Sequence, residues 1–197
     1  MAAFADRRAG RPMPKRSRPK WTRPHDPAFD VRGALYRMAG VDLTVLEGSD
    51  ANTALVLLSE VGADVSRFAT AKRFTSWLGL CPQHQSSAGK VKSRRVRRGA
   101  HRAGRAFRLA ARSCHHARNA LGAFYRRIQA RAGAPKAIGA TARKLAERVY
   151  RLLRYGGEYV YQELEAYEAA YRARLVKGLA RRAAELGYRL EPAPAGG

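Results

Sequence analysis

Three observations in this sequence predict an all-α fold, with a helix-hairpin-helix-like N-terminal part, a compact multi-helix domain and a long C-terminal helix. Apolar residues recur every three or four positions from Val31 to Leu186, the spacing of one helix face. Glycine or proline falls where those runs stop. The connections are short, and no stretch carries a clear strand signature.

Residues 1 to 28 hold Arg, Lys and Pro with no apolar period. They are expected to form a disordered basic arm, either a solvated tail or an arm for DNA. In the first helix Val31, Leu35 and Met38 line up before Gly40. Leu43, Val45 and Leu46 lead to Gly48. A second helix from about Asn52 carries Ala54, Leu55, Leu58 and Val61 to Gly62. A third, from Ala71 to Leu78, is expected to bury Phe74, Trp77 and Leu78. Residues 79–99 break the pattern and read as a loop or a short hairpin. Ala103, Ala106, Phe107, Ala110 and Cys114 then form a helical stripe, and Leu121, Phe124, Tyr125 and Ile128 the next. Gly133 to Pro135 separates this helix from another, whose run Ile138, Ala142, Leu145, Val149 and Leu152 stops at Gly156 and Gly157. A long helix from about Glu158 to Leu186 carries Tyr159, Leu164, Tyr167, Tyr171 and Leu175. The domain is expected to span 29–190, with 191–197 a disordered tail.

Charge narrows the partner. Thirty-nine Lys and Arg stand against 15 Asp and Glu, a formal net charge of +24. Such an excess opposes compaction and favours a polyanion, with nucleic acid as the default. No apolar run is long enough to span a bilayer, so a membrane is not expected as a partner. The basic, proline-containing start has no apolar h-region. Cys81 and Cys114 are therefore expected as reduced thiols in the cytoplasm, on the nucleoid.

Two segments carry candidate chemistry. The order Leu43, Leu46, Gly48, Ala54, Leu57 and Leu58 approximates a helix-hairpin-helix. Backbone amides at Gly48 and the following helix start can hold a phosphate in such a motif. Asp50 stands where a second glycine is usual and repels phosphate, so a plain helix corner capped by Gly48 is the other reading. The second segment joins Ser86, Ser87, Ala88, Gly89 and Lys90 to Lys92, Arg94, Arg95, Arg97 and Arg98, with Arg102 following. Nearby cations can stabilise a serine alkoxide and the phosphate it attacks. The alternative is a phosphate-binding loop whose serines only donate hydrogen bonds.

Other chemistries fit less well. Cys81 and His84 have ligand-like spacing, but Cys114, His115 and His116 are adjacent and point apart on a helix, so no metal site is expected. His101, Arg102 and Arg105 do not match the histidine-arginine pair of a tyrosine recombinase, and no tyrosine stands out.

From Phe29 to Leu190 the chain resembles the C-terminal domain of insertion-sequence transposases of the IS110 and IS116 type. The resemblance rests on short pieces in the family's order. They include Gly40-Val41-Asp42-Leu43-Thr44, Leu58-Ser59-Glu60-Val61-Gly62 and Trp77-Leu78-Gly79-Leu80-Cys81-Pro82. Ser87-Ala88-Gly89-Lys90, Leu121-Gly122-Ala123-Phe124-Tyr125 and Ala134-Pro135-Lys136-Ala137 continue the series. The resemblance implies a serine nucleophile that forms a phosphoserine link to DNA. The family's serine precedes Gly-Gly-Lys, which lands on Ser87, with Ser86 the neighbouring alternative and Ala88 in place of the first glycine. It also implies transposition and DNA as partner, together with a structured guide RNA and further copies of the chain or a separate RuvC-like domain. Mg²⁺ belongs to the four acids of that RuvC-like domain. Only Asp6, Asp26 and Asp30 are acidic before residue 42, so no cofactor is expected in this chain, and a truncated or split transposase, inactive alone, is the expectation. The runner-up is a nucleic-acid-binding protein without catalysis, or an inactive transposase remnant, in which Ser87 is a bystander.

Overall fold

The computed structural model describes residues 6–8, 10–15, 29–81, 85–87, 90–93 and 101–192. Seven helices run through these residues: α1 Val31–Ala39, α2 Ala51–Val61, α3 Ala71–Trp77, α4 Arg102–Ser113, α5 Ala120–Ala132, α6 Ala134–Tyr155 and α7 Gly157–Glu185. Single 3-10 turns occupy Leu43–Val45 and Cys114–His116. The fold is all-α but for one antiparallel hairpin, β1 Gln85–Ser87 with β2 Lys90–Ser93, inside the segment expected as a loop or a short hairpin.

Local chemistry sets the helix ends. The Asp50 carboxylate accepts the Thr53 N–H at 2.8 Å and opens α2. Asn119 Oδ1 accepts the Gly122 N–H at 2.9 Å and opens α5. Each such cap satisfies an amide that the helix itself leaves unpaired. Gly40, at φ +72, closes α1 by returning its N–H to the Tyr36 carbonyl at 2.8 Å, a left-handed turn that glycine adopts without a steric cost.

The core lies around α6. Ala137, Ala142, Leu145, Ala146, Val149 and Leu152 are all buried, and α3, α4 and α5 each pack on this helix. Phe74, Phe107 and Leu121 fill the space between. α2 packs on α4 and α1 on α2. Two expected core residues are exposed instead. α2 turns Ala54, Leu57, Leu58 and Val61 inward, which leaves Leu55 outside. Trp77 is 39% exposed, because Phe74 and Leu78 already occupy the inner face of α3.

The described residues of the N-terminal arm, 6–8 and 10–15, touch the first helix. The Arg7 N–H donates to the Arg37 carbonyl at 2.9 Å, and the Tyr36 hydroxyl donates to the Pro12 carbonyl at 3.1 Å. Asp6 accepts from the Arg8 backbone and side chain, which holds its carboxyl at about 2. Under this segment lies a buried ion pair. The Arg32 guanidinium donates to Asp42, to Thr44 Oγ1 at 3.1 Å and to the Pro14 carbonyl at 2.8 Å. The other Asp42 oxygen accepts the Thr44 N–H and hydroxyl.

By packing, the chain falls into two units, Met1–Val160 and Tyr161–Gly197. The division falls inside the stretch expected to be one domain, because none of the described residues from 161 to 192 is buried. Among the described residues, no helix is long and apolar enough to cross a membrane.

Removing one member of a buried ion pair strands the other charge. Asp42→Ala is therefore expected to destabilise the first unit by about 3–5 kcal/mol, read from urea unfolding. A loss within about 0.5 kcal/mol, the range of ordinary surface substitutions, would show that Arg32 reaches water when unpaired.

Candidate functional site

The serine hairpin leaves the core just after α3 and returns at the start of α4, and these two points are fastened together. Leu78 and Leu80 are buried, and the Leu80 N–H donates to the Thr75 carbonyl at 3.0 Å. Arg108 of α4 donates through Nη2 to the Gly79 carbonyl at 2.8 Å. Gly104 packs so closely that a Cβ there would lie 2.5 Å from the Leu78 carbonyl oxygen. The Trp77 and His101 rings stand edge to face at 4.1 Å. Arg67 lies over Phe68 and Trp77, its guanidinium carbon 4.7 and 4.8 Å from the two ring centroids.

On this root the two strands pair antiparallel. Ser86 stands opposite Val91 and Ser87 opposite Lys90, with an irregularity between Gln85 and Ser86. Only Ala88 and Gly89 stand between Ser87 and Lys90 in the chain. Ser86, Ser87, Lys90 and Lys92 are thus brought onto one ribbon. Gly89, Arg94, Arg95, Arg97 and Arg98 lie outside the described residues.

Arg102 opens α4 with its side chain 71% exposed, 3.3 Å from Glu60 Oε1. The first turn of α4 has no acid, although the helix dipole favours one there. Arg105 and Arg112 lie further along the same helix and are exposed. Apolar periodicity draws attention to the opposite stripe of α4, yet the spacing of seven from Arg105 to Arg112 is two helical turns and a signal for a cationic face.

Gly48 is placed differently from the serine ribbon. Its φ is +72, and a Cβ there would lie 2.3 Å from the Ala110 carbonyl oxygen of α4. The preceding residues form one 3-10 turn rather than an α-helix, and the Asp50 carboxylate occupies the start of α2. This geometry favours the corner reading, with Gly48 required by close backbone approach.

The acids are engaged one by one. Glu47 accepts from Arg148 at 3.0 Å and from Asn119 at 3.1 Å. Asp64 accepts the Ser66 N–H and hydroxyl, which lower its carboxyl below the usual range. Glu147 pairs with Arg143 at 3.0 Å. Among the described residues no three His, Cys, Asp or Glu are grouped to hold a metal ion. Cys114 is buried and Cys81 half-buried, and neither forms a disulfide. The His115 and His116 rings stand edge to face at 4.6 Å.

Residues 40–126 match the model of a family described as Transposase IS116/IS110/IS902 family. The matched span includes every candidate residue from Gly48 to Arg102. No curated protein and no solved structure matches the chain significantly.

The root of the hairpin yields a stability test. Gly104→Ala forces a methyl into the Leu78 carbonyl, and overpacking of this kind costs about 1–3 kcal/mol. Thermal unfolding is expected to shift downward accordingly. An unchanged midpoint would show that α3 and α4 separate without cost.

Proposed function

We propose, from the premise that residues 40–126 are a transposase domain of the IS110/IS116 type, that this chain binds DNA and supplies the serine for strand exchange. The observation that carries the proposal is the anchored ribbon, which holds Ser86, Ser87, Lys90 and Lys92 together and continues into Arg94, Arg95, Arg97 and Arg98. The charge of +24 supplies the attraction for phosphate. The flanks of this segment are held close together, Gly104 of α4 lying against the Leu78 carbonyl and Arg108 donating to the Gly79 carbonyl.

In the proposed step the Ser87 oxygen attacks a DNA phosphorus. A serine–phosphate ester forms as the bond from phosphorus to the leaving sugar oxygen breaks. The hydroxyl proton ends on that leaving oxygen, and the ester is conserved for a second transfer. Negative charge grows on the non-bridging oxygens, where lysine and arginine cations stabilise it. Ser86 is the neighbouring alternative. No acid of this chain enters the step; Glu47, Asp50, Glu60 and Asp64 are engaged elsewhere. A RuvC-like partner is part of the proposal, as is a structured RNA that competes for the same cations.

Two experiments test this. Labelled element-end DNA is incubated with the protein, with and without a supplied RuvC-like partner, and separated under denaturing conditions. A covalent adduct is expected with the partner, lost in Ser87→Ala and retained in Arg95→Ala. Loss in Ser86→Ala alone moves the nucleophile to Ser86. DNA binding without any adduct, unchanged in Ser87→Ala, supports the non-catalytic reading instead.

Separately, replacing Arg94, Arg95, Arg97 and Arg98 with alanine should flatten the dependence of affinity on salt. The slope of log K against log salt is expected to fall by about 0.9 for each phosphate that the altered segment no longer neutralises. The same slope in both proteins would place this segment away from DNA.

A further inference from the structure

The second unit begins within α7 at Tyr161. In it Leu175, Val176 and Leu179 are 47%, 56% and 51% exposed. Three bulky aliphatic side chains thus meet water within little more than one helical turn, and such a cluster marks a surface that gains by being covered.

Charge along this helix is sorted. Glu158, Glu163, Glu165 and Glu168 lie in its first half, where there is no Lys or Arg. Arg172, Arg174, Lys177, Arg181 and Arg182 lie in its second half, whose only acid is the terminal Glu185. The helix's own dipole favours this sign of sorting, but its effect fades within the first and last turns. Here the sorting reaches the middle, where Glu168 and Arg172 are four residues apart. A neighbouring helix experiences it along the whole length.

The orientation of a partner helix follows. A parallel copy sets acid against acid and base against base, and like charges facing one another are unfavourable. An antiparallel copy sets each acidic half against a basic half. Leu164 and Leu175 lie on either side of the changeover and share a helix face with Tyr171. Antiparallel pairing therefore brings Leu164 of one copy against Leu175 of the other, with Glu165 near Arg172.

We infer that α7 is a self-association surface on which a second copy of this chain docks antiparallel. The inference does not rest on the transposase reading, since it uses only the charge order and the exposed apolar residues of α7.

Sedimentation velocity of the full chain without nucleic acid, at physiological salt, is the first test. A reversible dimer is expected. Replacing Glu163, Glu165 and Glu168 with lysine, or Arg172, Arg174 and Lys177 with glutamate, should weaken it by at least about tenfold. An equimolar mixture of the two variants should restore it. Orientation is read by cross-linking with native charges, in a Cys81→Ser, Cys114→Ala background. Leu164→Cys mixed with Leu175→Cys should give the mixed disulfide, while Leu164→Cys alone gives little. A wild-type chain that stays monomeric at about 100 µM overturns the inference. So does stronger cross-linking of Leu164→Cys to itself than to Leu175→Cys, which means a parallel pair. Should either charge variant lose its helical circular dichroism, the cross-linking pair alone decides.

Discussion

Three helices bury their apolar faces on α6, and most of the first unit is arranged by that contact. Small side chains are prominent where α4 packs on α6: Ala137, Ala142 and Ala146 on α6 and Ala103 and Ala111 on α4 are all fully buried. Close-packed interiors tolerate little change of volume, so the position of each partner helix is narrowly set. Tyr150 extends the hold beyond the helices, donating its buried hydroxyl to the Phe68 carbonyl at 2.8 Å, while its ring lies 5.7 Å from that of Phe74. The end of α3 and the start of α4 are thereby placed side by side.

Electrostatics divides the same residues into two groups. Inside, acids meet partners with good geometry: Asp42 with Arg32, and Glu47 with Arg148 and Asn119. These pairs tie together parts of the chain that packing alone leaves adjustable, and they do so at a desolvation cost offset by the added hydrogen bonds. Outside, Arg105, Arg112 and the strongly exposed Arg102 contribute to the excess of cations. Repulsion among them works against the compact state, and a bound polyanion relieves it. The same charge that makes the chain less stable alone therefore favours association with a polyanion.

The two units handle charge in opposite ways. In the first unit Asp42, Glu47, Asp64 and Glu147 are engaged within the chain. Along α7 acids and bases are segregated by position instead, so that the helix carries two poles. No residue of α7 beyond Val160 is buried.

What the sequence alone determined is local. Helical spacing and glycine stops placed α1, α2, α5 and α6 to within a residue or two, because a helix face and its cap are written in residues three or four apart. The order of small, hydroxyl and basic residues around Ser87 was equally visible, being contiguous. Whether that stretch was a loop or a hairpin stayed open, since strand register depends on pairing across the turn. Tertiary structure alone decided that Leu57 rather than Leu55 faces inward, and that Gly48 and Gly104 are contact points between backbones. It alone joined Glu47 to Arg148, 101 residues away. Residues that meet only after the chain has folded leave no periodic trace in its order, because the selection acting on them is for a contact in space.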